Sequence, residues 1–319
     1  MGEATTTGVI GAGVAGLAAA ARLGHAGRRV VVWDKSKGLG GRLATRRGEA
    51  GDFDHGAPGF TVTRPDFAAV VEAVRRAGGA VAWPGAGRLM LTTPEGTPMT
   101  GLPGASGFAR TLAGGLAPGT EIVADTTVEA LARDGDGWLV AGRRVDRLVV
   151  AIPAPQAAAL LGPVAPDLAA RAAAVEMVPV LTAMLGVSPA LAPDAWSRAM
   201  ATPMIARAIL HSAKPGRDPA PTQRWVVHAS AAFSRTHVDE AKPEIAMTLA
   251  AAFSAAVGGA AIGHMAGHRW RYAYADRPLG EASPGDAMLG LQLAGDWCLG
   301  RGVEDAWVSG HAAAGALLG

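Results

Sequence analysis

The strongest indication of the fold lies in residues Thr5 to Lys35, which read TTTGVIGAGVAGLAAAARLGHAGRRVVVWDK. A short apolar strand runs into the pattern Gly11-x-Gly13-x-x-Gly16, a helix follows, and a second strand ends at Asp34. Gly11 permits a tight turn, Gly13 lets backbone approach a pyrophosphate, and Gly16 lets the helix pack closely on the sheet. The N–H groups that open the helix attract phosphate, and the acid is suited to a ribose. The stretch therefore predicts a βαβ unit of the Rossmann type that binds a dinucleotide.

Composition and charge exclude several other classes of protein. The chain of 319 residues is half hydrophobic with a formal net charge of +2, as in a globular protein with one large or two medium domains. Its basic residues form no stripe interleaved with aromatic residues, so we expect no nucleic acid partner. The single cysteine, Cys298, excludes an internal disulfide and a CxxC motif, and we expect no metal site. No signal sequence precedes the first strand, so we expect a cytoplasmic protein.

Residues 245–263 carry no charge and are long enough to span a bilayer. They are mostly alanine, and Leu249, Phe253 and Val257 recur at helical spacing before the helix-breaking pair Gly258-Gly259. We interpret the segment as a buried helix rather than a membrane span, and we expect no membrane partner.

A second glycine cluster follows the first unit, in the segment from Lys35 to Arg42. A simple NAD-binding domain does not require such a cluster. Gly40 and Gly41 therefore indicate a loop where backbone passes close to the cofactor again, with Arg42 supplying charge to its phosphates. The alternative is a surface loop with a solvated arginine. Residues 53–60 form another strand and turn rich in small residues, against which a flat ring could lie.

The remaining chain predicts an α/β fold with two domains. Helical periodicity predicts a helix over residues 66–78, and further helices are expected over 108–116 and 303–318. Strands are expected over 178–187, 225–230 and 288–293. A three-stranded β-meander is predicted from 127, and its third strand continues over 145–152. We expect a dinucleotide-binding domain from residues 1–60, 104–155 and 284–319, and an α+β substrate domain from residues 61–103 and 156–283.

Together these features resemble the FAD-binding fold of amine oxidases and related flavoproteins. Four stretches are similar, more narrowly, to bacterial renalase-type proteins: FDHGA (53–57), WVVHAS (225–230), HRWRYA (268–273) and AGDWCLGRGVEDAWVSG (294–310). The resemblance implies a Rossmann-type FAD-binding domain that holds FAD noncovalently. It assigns these residues to the cofactor: Gly11, Gly13, Gly16, Asp34, Lys35, Gly40, Gly41, Arg42, Val128, Asp296, Val303 and Ala306.

Within this set, the first three glycines and Asp34 would hold the ADP half, and Gly40 to Arg42 would line the pyrophosphate and the flavin. Val128 would offer its backbone to the adenine, and Asp296 would bind the ribityl–phosphate region. The start of the last helix, near Val303 to Ala306, would point at the pyrimidine edge of the flavin, where it stabilises negative charge. Cys298 suggests a covalent flavin, but a small buried residue is the interpretation that we favour.

The resemblance also implies an activity, the oxidation of dihydronicotinamides that are NAD(P)H isomers reduced at the wrong ring position. Hydride passes to the flavin, and O2 then takes the electrons to form H2O2. Such chemistry depends on orientation more than on acids or bases. Pro58 and Gly59 replace the glutamine and aromatic residue usual in the family, which leaves the substrate open. The alternatives are a flavin amine oxidase or desaturase acting on a small apolar substrate, and a non-catalytic flavin-binding protein.

His228, Arg269 and Tyr272 are the candidate catalytic residues on the substrate side of the flavin. Each also has a structural interpretation. His228 could be a satisfied core histidine, and Tyr272 could simply pack. Arg269 requires an anionic partner, which could be the substrate or a structural acid such as Asp276 or Glu281.

Overall fold

The computed structural model describes residues 5–84, 96–191, 202–217 and 222–319. The strands in chain order are β1 (Thr6–Ile10), β2 (Arg29–Trp33), β3 (Thr45–Arg46), β4 (Phe53–Asp54), β5 (Phe60–Val62), β6 (Ala80–Ala82), β7 (Thr97–Gly101), β8 (Thr120–Val123), β9 (Leu131–Asp134), β10 (Gly137–Val140), β11 (Arg143–Val145), β12 (Arg147–Val150), β13 (Met177–Val187), β14 (Ile205–Leu210), β15 (Gln223–Ala229), β16 (Ile262–Ala275), β17 (Gly285–Asp286) and β18 (Leu291–Leu293). The helices are α1 (Val14–His25), α2 (Pro65–Arg76), α3 (Ala105–Gly114), α4 (Ala154–Leu161), α5 (Pro166–Ala173), α6 (Ala231–Thr236), α7 (Lys242–Ala256), α8 (Asp296–Leu299) and α9 (Val303–Leu318).

Within the described residues, six strands form a sheet in the order β17-β18-β12-β1-β2-β8. β1 pairs in parallel with β2 and β12, which confirms the predicted βαβ unit and the α/β class. Both faces of the sheet are buried, as its continuous apolar strands require. Val9 and Val149 pack on the side of α1 and α9, whereas Ile10 and Val150 pack with the meander and with α4 and α5 on the other side.

The β-meander consists of β9, β10 and β11 in antiparallel order. The single strand predicted over residues 145–152 is wrong, because the chain divides there into β11 and β12. Asp146 lies between them. Its carboxylate accepts a hydrogen bond from Thr6 N at 2.8 Å, and its own N–H donates to Thr6 O at 2.8 Å. This exchange moves the chain from antiparallel pairing with β10 to parallel pairing with β1.

A second, antiparallel sheet has the order β14-β15-β13-β16, and α7 packs on one of its faces. Ile245, Leu249 and Phe253 form the buried stripe of α7, which confirms the core helix predicted for this region. The helix ends before Gly258 and Gly259, whose φ angles of 88° and 95° suit glycine, and β16 begins at Ile262. No described helix is long and apolar enough to cross a membrane.

A third sheet, with the order β5-β7-β6, packs with α2 against the first unit. Phe67 of α2 lies 5.5 Å from Trp307 of α9 between ring centroids, and both belong to one buried cluster with Val14 of α1. The described part of residues 61–103 therefore shares a core with the dinucleotide unit, and the division into domains stays a prediction. The strand predicted over 288–293 is confined to Leu291–Leu293, since a turn places Met288 in solvent with 92 % of its surface exposed.

Candidate functional site

A cleft of about 1360 Å³ lies between the carboxyl ends of the parallel strands and one face of the four-stranded sheet. Its volume exceeds the roughly 300–1,000 Å³ of sites for drug-sized ligands, so a dinucleotide and a substrate ring can share it. All but one of the predicted site residues line it: Gly11, Gly13, Asp34, Lys35, Gly40, Gly41, Arg42, Val128, His228, Arg269, Tyr272, Asp296, Val303 and Ala306. Gly16 lies behind the cleft, between α1 and β1.

The first glycine motif has a different spatial reason at each position. Gly11 has a φ of +105°, and a Cβ there would lie 2.5 Å from Ala151 O. A Cβ on Gly16 would lie 1.8 Å from Gly11 O, so only glycine allows α1 to sit this close to β1. A Cβ on Gly13 would meet nothing within 4 Å. Because α1 starts there with no side-chain cap and no acid in its first turn, its open N–H groups form a cradle for an anion.

The second glycine cluster folds onto the first. Gly40 N donates to Ala12 O at 3.0 Å, and a Cβ on Gly41 would lie 3.7 Å from Gly13 Cα. The cluster is therefore part of the cleft and not a separate surface loop. The loops of the first glycine motif and of the second glycine cluster thus lie side by side, where one pyrophosphate could contact both.

Arg42 and Asp296 were expected to contact the cofactor separately, but they form one bidentate pair. Arg42 Nη2 and Nη1 donate to the two carboxylate oxygens of Asp296 at 2.6 and 2.9 Å, and Nη1 also donates to Ala273 O at 2.8 Å. The pair joins the second glycine cluster to α8 and to the end of β16. The charge of Arg42 thus lies at the cleft with a partner already in place.

Asp34 shapes the ribose end of the cleft. Its Oδ2 accepts from Ala12 N and its Oδ1 from Ser36 N, both at 2.7 Å. Its backbone carbonyl accepts from Thr126 N at 2.9 Å, which holds the loop that carries Val128. Each carboxylate oxygen retains a lone pair for a ribose hydroxyl. The start of α9 lines the opposite end, where Asp305 accepts from the N–H groups before the helix.

The face of the second sheet that borders the cleft carries a polar row. Arg207, His228, Thr182 and His268 are successive Cα partners across β14, β15, β13 and β16, and such cross-strand neighbours share a face. Burial lowers the pKa of His228 and of His268 to about 3. Both imidazoles are therefore neutral at pH 7. Nε2 of His228 and Oγ1 of Thr182 are buried without a hydrogen-bond partner.

An aromatic corner joins this row to the segment 53–60. His55 stacks on Trp270 with a centroid distance of 5.1 Å and meets His268 edge-on at 4.5 Å. Trp270 Nε1 donates to the carbonyl of His55 at 2.8 Å. Burial also lowers the pKa of His55 to about 4, so the corner is uncharged at pH 7. Tyr272 continues the same wall of the cleft.

Two family models match the sequence. Residues 9–79 match an NAD(P)-binding Rossmann-like domain, and residues 78–318 match the flavin containing amine oxidoreductase family. The chain belongs to the flavin-containing amine oxidoreductase family. It is therefore an FAD-dependent oxidoreductase.

Solved structures share the fold of this family member along almost its whole length. One is a protein provisionally assigned as a protoporphyrinogen oxidase from Exiguobacterium sp. 255-15, with a TM-score of 0.75, 13 % identity and 98 % of both chains covered. A putrescine oxidase with bound putrescine has a TM-score of 0.68 at 13 % identity, covering 98 % of this chain and 99 % of its own. Cyclohexylamine oxidase from Brevibacterium oxydans IH-35A has a TM-score of 0.65 at 13 % identity, covering 98 % of both chains.

FAD fits the cleft of this oxidoreductase. The open space at Gly13 and the uncapped start of α1 suit a pyrophosphate, and Asp34 suits a ribose. Cys298 does not line the cleft, and it is fully buried. Because burial raises the pKa of its thiol to about 12, it is unsuited to forming a bond with the flavin.

The three candidate catalytic residues are brought to the cleft in different ways. His228 and Tyr272 border it, whereas the guanidinium of Arg269 turns away and donates to Val238 O at 2.8 Å and to Glu240 O at 3.4 Å. Backbone carbonyls therefore take the place of the acid expected beside Arg269. The reason is register, because Arg269 pairs with Leu181, which belongs to the core under α7. The catalytic roles of all three residues stay predictions.

Sequence reasoning missed a buried ionic cluster next to the cleft, formed by Asp54, His211, Lys214 and Arg217. It also missed Arg207 and Thr182, which only the strand register places beside His228. The available signal was weak. It consists of an acid inside an otherwise small and apolar segment, and of three basic residues within seven positions of a loop-like stretch, 211–217.

Proposed function

We propose that this oxidoreductase is renalase-like and oxidises dihydronicotinamides, the NAD(P)H isomers reduced at the wrong ring position. FAD, when bound, would supply the hydride acceptor, and its two electrons would reduce O2 to H2O2. Within the cleft, His228 and Tyr272 are the proposed substrate contacts, together with Trp270. Arg269 would act by anchoring β16, the strand that carries Trp270 and Tyr272, to the loop at residues 238–240.

The observation that carries this proposal is the charge of the substrate side. The carboxylates that line the described cleft are Asp34, Glu129, Asp296, Glu304 and Asp305, and all belong to the dinucleotide unit. Strands β13 to β16 contribute no carboxylate to the described lining. Their basic residues there are Arg207, Arg271, which pairs with Asp239, and Arg269, whose guanidinium turns away, and the neighbouring histidines are neutral. A cationic amine finds no carboxylate on this face, whereas the positive charges of Arg207 and Arg271 are compatible with a phosphate-bearing dinucleotide.

The shape of the same wall supports a planar substrate. His55 and Trp270 stack on each other and form an uncharged aromatic corner with His268, and Pro58 and Gly59 line the cleft beside it with no long side chain. Oxidation of a dihydropyridine restores an aromatic ring by loss of hydride alone, so no general base is required. The residues of the cleft then contribute mainly by orienting the ring and excluding water.

The test compares electron donors under anaerobic conditions. The purified protein is mixed with the dihydronicotinamide isomers and, separately, with putrescine and other simple amines, and the flavin absorbance is followed. We expect bleaching by the isomers alone and one H2O2 per flavin when air is admitted. Bleaching by amines alone would overturn the proposal in favour of an amine oxidase. Bleaching by no donor would favour a non-catalytic flavin-binding protein.

The noncovalent attachment of FAD is tested on the same sample. Acid precipitation should release all of the yellow cofactor into the supernatant, because the buried Cys298 cannot reach it. Flavin that stays with the precipitate would contradict this part of the proposal.

A further inference from the structure

A buried ionic cluster lies directly behind one wall of the cleft. Asp54 ends β4 and precedes residues 55–60, which line the cleft and are called here the substrate wall. Asp54 Oδ2 lies 2.5 Å from Lys214 Nζ, 2.5 Å from Arg217 Nη2 and 3.3 Å from His211 Nε2. The side chains are between 1 and 3 % exposed, so the cluster is screened little by solvent.

The cluster holds one acid and two cations. Burial alone would raise the pKa of Asp54, but the charges of Lys214 and Arg217 and the nearby His211 hold it well below its usual range. Burial lowers the pKa of His211, which leaves a surplus of one positive charge. Because a buried surplus charge opposes folding, a neutral residue in place of one cation would suit the fold better. The second cation therefore needs a reason other than charge balance, and a contact that only this cation makes can be that reason.

Lys214 makes such a contact with the substrate wall. Its Nζ donates to Pro58 O at 2.7 Å. The rest of the segment 55–58 is held from two other directions. Trp270 Nε1 donates to its first carbonyl at 2.8 Å, and Arg42 O accepts from the N–H of its third residue at 2.9 Å. Lys214 is thus the third support of this segment, and it holds the last residue, Pro58.

Arg217 provides an internal comparison. It binds the same carboxylate oxygen at the same distance of 2.5 Å as Lys214. Its other hydrogen bonds go to Thr100 Oγ1, Gly101 O and Pro215 O, and none of these residues lines the cleft. The two cations therefore share the charge and the acid but differ in their contact with the wall.

We propose that Lys214 is a positioning residue that fixes the carbonyl of Pro58 and so sets the width of the cleft between the substrate wall and the four-stranded sheet. Pro58 and Gly59 carry no side chain long enough to hold a substrate ring, so the backbone of the wall takes that part, and Lys214 keeps it in place. The inference rests on the proposed function for the identity of the substrate, and on the contacts alone for the position of the wall.

The experiment compares Lys214→Met with Arg217→Met in the FAD-loaded protein. Steady-state oxidation of a dihydronicotinamide isomer gives KM and kcat, and hydrogen–deuterium exchange of the peptide covering residues 55–63 reports the wall without any substrate. For Lys214→Met we expect faster exchange in this peptide, a KM raised about tenfold and a kcat within about twofold of wild type, because a charge-assisted hydrogen bond to the wall is lost. For Arg217→Met we expect KM and exchange within about twofold of wild type.

Equal effects of the two substitutions on KM and exchange would overturn the inference, since they would show that Lys214 acts only through the charge that it shares with Arg217. Faster exchange with an unchanged KM would overturn it as well. If Lys214→Met fails to hold FAD, Lys214→Gln replaces it, with a polar side chain too short to reach Pro58, and wild-type KM and exchange in that variant would refute the role. Failure of wild type to oxidise any isomer would refute the proposed function, and the exchange comparison would still decide whether Lys214 positions the wall.

Discussion

Gly13→Ala should separate cofactor binding from folding. In the structure a Cβ at this position meets no atom within 4 Å, and the residue has φ −74° and ψ −179°, which alanine adopts without strain. The folded protein therefore has room for the methyl group. The space that it fills lies in front of the open N–H groups of α1, where the pyrophosphate of FAD is expected.

The size of the effect follows from these contacts. Replacing an unstrained glycine by alanine reduces the entropy of the unfolded chain, so the free energy of unfolding of the apoprotein should stay unchanged or rise by up to about 1 kcal/mol. A methyl group that displaces the pyrophosphate would lose one or two charge-assisted hydrogen bonds from backbone N–H groups. We expect FAD to bind about 100-fold more weakly, a loss of ~2.7 kcal/mol.

Gly16→Ala is the matched control. A Cβ on Gly16 would lie 1.8 Å from Gly11 O, against 3.4–4 Å for ordinary van der Waals contact. The helix must move away from β1, and we expect the free energy of unfolding to fall by about 3 kcal/mol, as in an overpacked core. Urea unfolding of the apoproteins and titration with FAD by flavin fluorescence measure both quantities. FAD affinity at the wild-type level in Gly13→Ala, or destabilisation equal to that of Gly16→Ala, would refute the reasoning.

Three further substitutions test the site. Asp34→Ala removes the acceptor of two backbone N–H groups and of the expected ribose, and FAD titration should show affinity at least about tenfold weaker; unchanged affinity would contradict that role. Asp54→Asn leaves two buried cations without their counter-charge, and urea unfolding should show a loss of about 3–5 kcal/mol, with a smaller loss than 1 kcal/mol arguing against a buried charge pair. Burial lowers the pKa of His228 from 6.5 to about 3, so the unfolded state binds more protons than the folded state between these pH values. The stability that the neutral His228 contributes is therefore complete above pH 6.5 and is lost as the pH falls toward 3. Between about pH 7 and pH 5 wild type should therefore lose about 2 kcal/mol more than His228→Gln, and equal slopes would show that His228 is not held neutral.

Features that depend on neighbouring residues could be predicted from the sequence. The spacing of Gly11, Gly13 and Gly16 reflects contacts inside one βαβ unit, and the structure reproduces that unit with Asp34 at its end. The last helix, expected over residues 303–318, is confirmed at Val303–Leu318. The division of the strand at Asp146 was missed, since its cause is a pair of hydrogen bonds to Thr6 at the other end of the chain.

The assembly of the site depends on contacts between segments that are far apart in the chain. The Arg42–Asp296 pair joins residues 254 positions apart, and Lys214 reaches Asp54 across 160 positions. The direction of Arg269 depended on strand register, because a shift of one residue exchanges the face toward the cleft for the face under α7. Local sequence thus fixed the groups that can hold a dinucleotide, whereas packing between distant segments determined which charges meet, which stay buried and which border the substrate.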